Sequence, residues 1–524
     1  MWTLRRHGAP RLGWVVPIIL LALAAFAPSS PSTAQRDGGG SQDAGTNADD
    51  EIRQLLAQGS WKPPHAALDW AALRKFYSSR NFEPAWASEN QSALALRALN
   101  HADHEGLSPD DYNAREIKRP TSSDAVSSAH FDLLLTNSVL RYAHDVREGR
   151  LMPNEVYDDA SLPRQHYDAI SEVNTALTND SLEDYFASLP PPQEGYRALR
   201  SFLDTYRGIA AAGGWPAIPR SASTGMGRRL RKRLAERLAI EQGGSQPIEQ
   251  ALRDFQSHHG LRVTGELDEK TVDELNVDVA GRVDEIALNM ERWRWLPRAM
   301  PARYVEVNVP SASLTAFDEG HEALRSRVVV GRETDPTPLL HADATSITAN
   351  PNWEIPEKIA RKEILSKLHA HPSYLRTHHI EFVSHSPLRL RQLPGPDNAL
   401  GALKIDMPNR FNVYLHDTPG QSAFDRLVRD ESHGCMRVEQ ILPLASFALS
   451  GNTDAAVPDL ESAIATRDTQ KIALPSPLPV YVLYWTVALT DDGKAQFWPD
   501  PYGRDAELHD ALKNRVVAAR ISML

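Results

Sequence analysis

HDTPGQSAFDRLVRDESHGCMRVE, residues 416–439, joins the end of an apolar–polar alternation to a cysteine set between a glycine and an arginine. The alternation is Phe411-Asn412-Val413-Tyr414-Leu415-His416, whose period of two predicts a strand. Val413 and Leu415 would then point to one face, and Asn412, Tyr414 and His416 to the other. A strand ending in Tyr and His presents a base beside a cleft. Downstream follows Ser432-His433-Gly434-Cys435-Met436-Arg437-Val438. A free thiol, with a pKa of about 8.5, is mostly protonated at neutral pH, and a neighbouring imidazole shifts it towards thiolate. Gly434 lets a carbonyl substrate approach the backbone, and amides around Cys435 offer an oxyanion hole. His416 and Cys435 are therefore the candidate base and nucleophile.

Cys435 is the single cysteine in 524 residues, which excludes an intramolecular disulfide. A lone cysteine is commonly an inert, buried thiol. The flanking Ser-His-Gly and the arginine two residues on argue instead for use, since an inert core position needs none of them. At the other end of the chain, Arg5, Arg6 and Arg11 flank the apolar run Leu12 to Ala27, followed by Ser32-Thr33-Ala34. This is the pattern of an export signal over 1–34, with Gln35 the first mature residue. The alternative is an uncleaved membrane anchor, for which Pro17 and the short run fit poorly, a comfortable span needing about 18 or more apolar residues. A net charge of −11 leaves no basic excess for nucleic acid. The expected location is periplasmic.

Residues 35–50 are small and polar, a flexible linker. From 51 to 241 apolar residues recur at helical spacing, as in Trp70 to Tyr77 and Phe131 to Arg147, which predicts a helical scaffold. The basic run Arg228 to Arg233 reads as the solvated face of a helix whose apolar side is Leu230, Leu234 and Leu238. A compact unit follows over 242–280. Ile248, Ala251, Leu252 and Phe255 share one helix face, Gly260 ends that helix, and Asp268 caps the next. His258-His259 has no further ligand at zinc spacing and reads as a surface helix end. From Arg303 the period changes to that of strands: Tyr304 to Val309, Ser326 to Val330, and Val480 to Val487. Residues 300–455 form the expected catalytic domain, interrupted at about 353–400, with 456–524 completing its sheet. The fold class is multidomain α+β.

Several quoted stretches carry a family resemblance. HDTPGQSAFDRLVRDESHGCMRVE, VVVGRETDPTPLL, NPNWEIPEKIARKEIL and GPDNALGALKIDMPNRFNVYLHDTP together resemble the YkuD-type L,D-transpeptidase domain. The likeness is closest to its large Gram-negative, YcbB-like subgroup. ALRDFQSHHGLRVTGELDEKTVDELN resembles the peptidoglycan-binding repeat of cell-wall enzymes. The resemblance implies a mostly-β catalytic domain with an inserted lid, a helical scaffold and a small three-helix-type module. It implies Cys435 as nucleophile and His416 as base, with the main-chain carbonyl of Asp417 orienting the imidazole. Tyr414, Gly434 and Arg437 would line the donor site, and His433 would stabilise an oxyanion or support its loop. Trp353 would belong to the lid or be a core aromatic. The implied reaction is 3→3 cross-linking of peptidoglycan stem tetrapeptides as donor and acceptor, without metal or organic cofactor. Carboxypeptidases or other wall-synthesis enzymes would be partners, and carbapenems would acylate Cys435. Rival readings are an L,D-carboxypeptidase, a lipoprotein-anchoring transpeptidase and a non-catalytic wall-binding scaffold.

Overall fold

A computed structural model describes residues 47–521 apart from 64–66, 122–123, 164–165, 222–226, 245 and 452–458. The export segment 1–34 and residues 35–46 of the linker lie outside the described residues, while Asn47 caps and Ala48 to Asp50 already belong to the first helix, so the linker ends earlier than 50. Among those described, no helix is long and apolar enough to cross a membrane.

The N-terminal region is helical because its apolar residues gather around one long helix, Ala125–Glu148. Asp124 caps it, accepting from the Ser127 N–H at 2.8 Å. Its middle is buried on all sides, Leu133, Leu135, Val139 and Ala143 among them. Helices Ala48–Gln58, Trp70–Ser78, Glu89–Asn100 and Ala169–Thr178 pack around it. One short strand leaves this region, β1 (Ala160–Ser161).

The basic run lies on the exposed side of helix Arg228–Gln242, as its amphipathic pattern predicts. That helix is not part of the scaffold core, however. Leu234 and Leu238 share a small core with Ala251, Leu252, Phe255, Val272 and Leu275. A boundary at 241/242 therefore cuts through one packed unit, whose three helices are Arg228–Gln242, Ile248–His258 and Glu269–Leu275. The reading of His259 as a surface helix end is corrected too. His259 is buried, with Nδ1 2.9 Å from Glu274, Nε2 3.5 Å from Glu241, and its ring stacked 4.0 Å from Phe255. Both ring nitrogens are spent on carboxylates.

The C-terminal half is a barrel. β2 (Arg303–Asn308), β3 (Ser313–Asp318) and β4 (His321–Gly331) form an antiparallel meander. β5 (Leu339–Ala349) leads into an insertion containing β6 (Trp353–Ile355), β7 (Ile380–His385) and β8 (Leu388–Gln392). The chain returns through β9 (Leu403–Asp406), β10 (Leu415–His416), β11 (Asp430–Ser432) and β12 (Met436–Val438). β13 (Gln470–Leu483) then crosses the sheet, and β14 (Val487–Leu489) and β15 (Ala495–Phe497) form a separate hairpin. The order is β5-β13-β2-β3-β4-β12-β10-β9, and β9 pairs back to β5. Val305, Val307, Leu314, Val328, Ile347 and Val480 fill the interior. β1 pairs in parallel with β5 at Leu339 and Leu340, beyond the stretch β9 covers.

Two strands differ from the alternation that predicts them. The stretch 411–416 is a strand only at Leu415 and His416, because Asn412 takes a left-handed φ of 54°. The Asn409 side chain ties that turn, bonding to the Phe411 N–H at 3.0 Å and the Val413 carbonyl at 2.8 Å. The C-terminal strand begins ten residues earlier than its hydrophobic run and stops at Leu483, so Val487 belongs to the hairpin.

Between β5 and β9 the insertion makes its own three-stranded sheet, β6-β8-β7. Ile355, Ile359, Ile364, Ile380 and Leu390 give it a separate core, so it folds as a cap rather than a loose loop.

Candidate active site

β10 and β12 run parallel, with Leu415 opposite Met436 and His416 opposite Arg437. The Met436 N–H donates to the Tyr414 carbonyl at 3.1 Å, extending the ladder by one residue. Leu415 and Met436 point into the barrel, 1% and 0% exposed. Their neighbours Tyr414, His416, Cys435 and Arg437 consequently emerge together on the outer face. The Tyr414 and His416 rings meet edge to face, 5.6 Å between centroids. Both the hydroxyl and the backbone N–H of Tyr414 reach the Cys435 sulfur.

His416 is buried, and its Nδ1 lies 2.5 Å from the Asp417 main-chain oxygen. A carbonyl only accepts, so Nδ1 carries the hydrogen and Nε2 keeps its lone pair. Burial, then the charges of Arg437 and Lys404, lower the imidazole pKa to about 3 against the pull of that hydrogen bond. The ring is neutral at pH 7. Burial pushes the Cys435 thiol up, and the Tyr414 groups, Lys404 and Arg437 only partly offset this. The resting pair is thus imidazole and thiol, not an ion pair. Tyr414 is raised well above the usual phenol range, chiefly by burial and then by the adjacent sulfur. Burial lowers Arg437.

The cysteine loop is held by short local bonds. Gly434 sits at φ 104°, a left-handed conformation that favours glycine. Its N–H donates to Ser432 Oγ at 3.1 Å, and that hydroxyl donates to the Cys435 carbonyl at 2.5 Å. The Gly434 amide is therefore engaged, and an oxyanion hole built on it would first have to break this bond. Thr337, wholly buried, accepts from the Gly331 N–H and donates to the Gly434 carbonyl at 2.9 Å, tying β4 to the loop.

His433 points away from the others and meets the insertion. Its Nε2 lies 2.6 Å from Glu363, in the π-helical turn Ala360–Ile364. Arg332 approaches Glu363 at 3.8 Å and pairs with Asp335 at 2.8 Å, and Asp335 also binds Lys358 of the insertion. Trp353 serves both readings, since it packs on the insertion's core while its side chain faces the Tyr414 hydroxyl and lowers its pKa. Among the predicted residues, Tyr414, His416, Cys435, Arg437 and Trp353 come together, and His433 and Gly434 shape the loop.

Sequence reasoning did not reach Lys404, Glu363 or Thr337, and it marked Ser432 only as a flank of the cysteine, not as the hydroxyl that ties the loop. Lys404 lies opposite His416 across β9–β10, with its ammonium 4.2 Å from the Tyr414 ring centroid. Its sole sequence signal is a cation within the alternating segment 403–406.

Comparisons with known proteins agree with this anatomy. Residues 302–458 match the family model YkuD, an L,D-transpeptidase catalytic domain. Residues 71–203 match a scaffold domain and 244–275 a peptidoglycan binding domain. A Haemophilus influenzae protein named "Putative L,D-transpeptidase" is 25% identical over 465 residues, 84% of this chain and 80% of that one. Two solved structures, a cysteine-to-serine mutant of an Enterococcus faecium L,D-transpeptidase and an Ldtfm-avibactam carbamoyl enzyme, align at 14% identity and a TM-score of 0.19. Those alignments cover 35% of this chain and about half of each of the two, and they add nothing to the family match. With an L,D-transpeptidase catalytic domain over 302–458 and a peptidoglycan binding domain over 244–275, this chain is an L,D-transpeptidase that works on peptidoglycan.

Proposed function

We propose that the enzyme forms 3→3 cross-links between diaminopimelate residues of neighbouring stems, through a thioester on Cys435. The supporting observation is the common outer face of Tyr414, His416, Cys435 and Arg437 across β10 and β12. Cys435 attacks the carbonyl of the third stem residue as His416 Nε2 takes the thiol proton. The C–N bond to the terminal D-Ala breaks, and His416 returns the proton to the departing amine. The side-chain amine of a second stem then attacks the thioester, releasing the thiol. No ATP is consumed, because the thioester conserves the free energy of the old amide. A neutral imidazole beside an un-ionised thiol means that proton transfer accompanies attack. Asp417 supplies the carbonyl that fixes the imidazole tautomer, and Arg437 and Tyr414 line the donor side.

The cap over the site would favour transfer to an amine over hydrolysis by excluding water. The chain would act as an exported, periplasmic enzyme of the YcbB-like subgroup, receiving tetrapeptide donors from carboxypeptidase action. Carbapenems would acylate Cys435.

Mass spectrometry of muropeptides after incubation with disaccharide-tetrapeptides tests this reading. Wild type should give tetrapeptide–tripeptide dimers linked 3→3, and Cys435→Ala none. Dimers from the alanine variant would remove Cys435 from the mechanism, and tripeptide alone from wild type would mean a carboxypeptidase. A carbapenem adduct should likewise form on wild type and vanish in Cys435→Ala.

A further inference from the structure

The outer face of the barrel carries a second concave site, away from Cys435. It is a groove of about 1080 Å³ between β2 and β3, the hairpin β14–β15 and the end of the scaffold. On its floor Tyr304 lies opposite Phe317, Glu306 opposite Thr315 and Asn308 opposite Ser313. The Tyr304 and Phe317 rings stack at 4.7 Å, and across the groove Trp293 stacks on Trp485 at 4.4 Å. One flat aromatic pair thus shares the floor with polar side chains, and a second faces it.

Glu306 sets this groove apart from ordinary surface. Its carboxyl makes no hydrogen bond or ion pair with any described residue, although burial raises its pKa to about 8. Half-buried on the groove floor and without a protein partner, the carboxyl is left open to a hydrogen bond from a ligand. Held protonated near neutrality, it can both donate and accept, which suits a neutral hydroxyl or amide. The walls disfavour an anion. Carboxylates outnumber arginines there five to two, and both arginines are engaged. Arg325 pairs with Glu322, and Arg429 donates to the Ser311 carbonyl at 3.0 Å. Aromatic faces beside unpaired polar groups in a volume this large fit an uncharged, polyhydroxylated chain.

We infer that this groove binds a saccharide, the amino-sugar strand of the polymer whose peptide stems react at Cys435. The inference rests on peptidoglycan being the substrate. Position supports it. The near end, at Ser313, lies two strands and roughly four residues from Cys435, about 16 Å at 4.8 Å per strand and 3.3 Å per residue. Three extended stem residues and the link to the sugar span roughly 14 Å. A glycan lying in the groove would therefore direct its stem towards the thiol, past the turn Gln421–Asp425 that packs on Val329 of β4.

The probe is a peptide-free β-1,4-linked N-acetylglucosamine tetramer, titrated calorimetrically into the full-length protein. Wild type and Cys435→Ala should bind it equally. Glu306→Gln and Thr315→Val, both near-isosteric and checked for unchanged melting temperature, should together weaken binding about tenfold. No binding to wild type at millimolar tetramer would overturn the inference. So would unchanged affinity in the double variant, which would locate the sugar elsewhere, such as the module at 244–275. The same double variant should raise KM for disaccharide-tetrapeptide about tenfold and leave KM for sugar-free tetrapeptide unchanged. Should neither substrate react even with wild type, the transfer reading fails while the tetramer result still decides the groove.

Discussion

Asp417 does two jobs with two different groups. Its main-chain oxygen accepts from His416 Nδ1, and its carboxylate accepts from the Ala402 N–H at 2.8 Å. Gly401 packs so closely there that an added Cβ would fall 2.3 Å from the carboxylate oxygen. Asp417→Asn should keep the imidazole oriented and leave turnover within about threefold, because the acceptor is the backbone. Asp417→Ala should cost about 1–2 kcal/mol by orphaning the Ala402 amide. Turnover falling to background in Asp417→Asn would assign the function to the carboxylate instead. His416 has a pH signature of its own. Its folded pKa is about 3 and its unfolded value about 6.5, so between them only the unfolded state carries the proton. The stabilisation is therefore present above pH 6.5 and lost as pH falls towards 3. Between pH 6.5 and 4.5, urea unfolding should show wild type losing up to roughly 2–3 kcal/mol more than His416→Gln.

At the scale of elements, the cap is fastened at His433–Glu363 and at Asp335, which holds both Arg332 and Lys358. Glu363→Gln should loosen the first of these and let water in. The readout is the ratio of tripeptide to 3→3 dimer, expected to rise about threefold with dimer still formed. An unchanged ratio would mean that this contact does not govern water access. The elements also show what a sequence pattern can carry. β2 was legible because alternation over six residues is a local signal, and β4 from its run of valines at 328–330. The short β10 was legible only in part. Its alternation continues back to Phe411, while the backbone turns at Asn412, held by the side chain of Asn409. The Cys–His pair could be read from residue types and spacing, but its fastening could not. Glu363 is 70 residues from His433, and Lys404 reaches His416 only through strand pairing.

Across the whole molecule, buried charge joins the parts. Arg282, 2% exposed, donates to Glu285 at 2.8 Å and binds Glu274, which bonds in turn to His259 of the module. Arg294 links Glu291 to Tyr196 and the Glu105 carbonyl, joining the scaffold to the approach to the barrel. Removing one member strands the others, so Arg282→Ala should destabilise by roughly 3–5 kcal/mol in urea unfolding. The network also sets an acid limit. Burial raises the Glu274 pKa, but His259 and Arg282 outweigh it and hold the carboxyl at about 2. Its stabilisation is full above about pH 4.5 and disappears as pH falls towards 2, a loss that Glu274→Gln should abolish.

The two-residue strand β1 has a consequence for any attempt to work with the catalytic domain alone. It hydrogen-bonds to β5 at Leu339 and Leu340, where β9 does not reach, so the helical region covers the start of the β5 margin that barrel closure leaves unpaired. A fragment starting after the scaffold would expose those amides and carbonyls beside two buried leucines, an invitation to strand-to-strand self-association. Aggregation of such a truncated protein would report a missing plug rather than a fold that needs its neighbours to form.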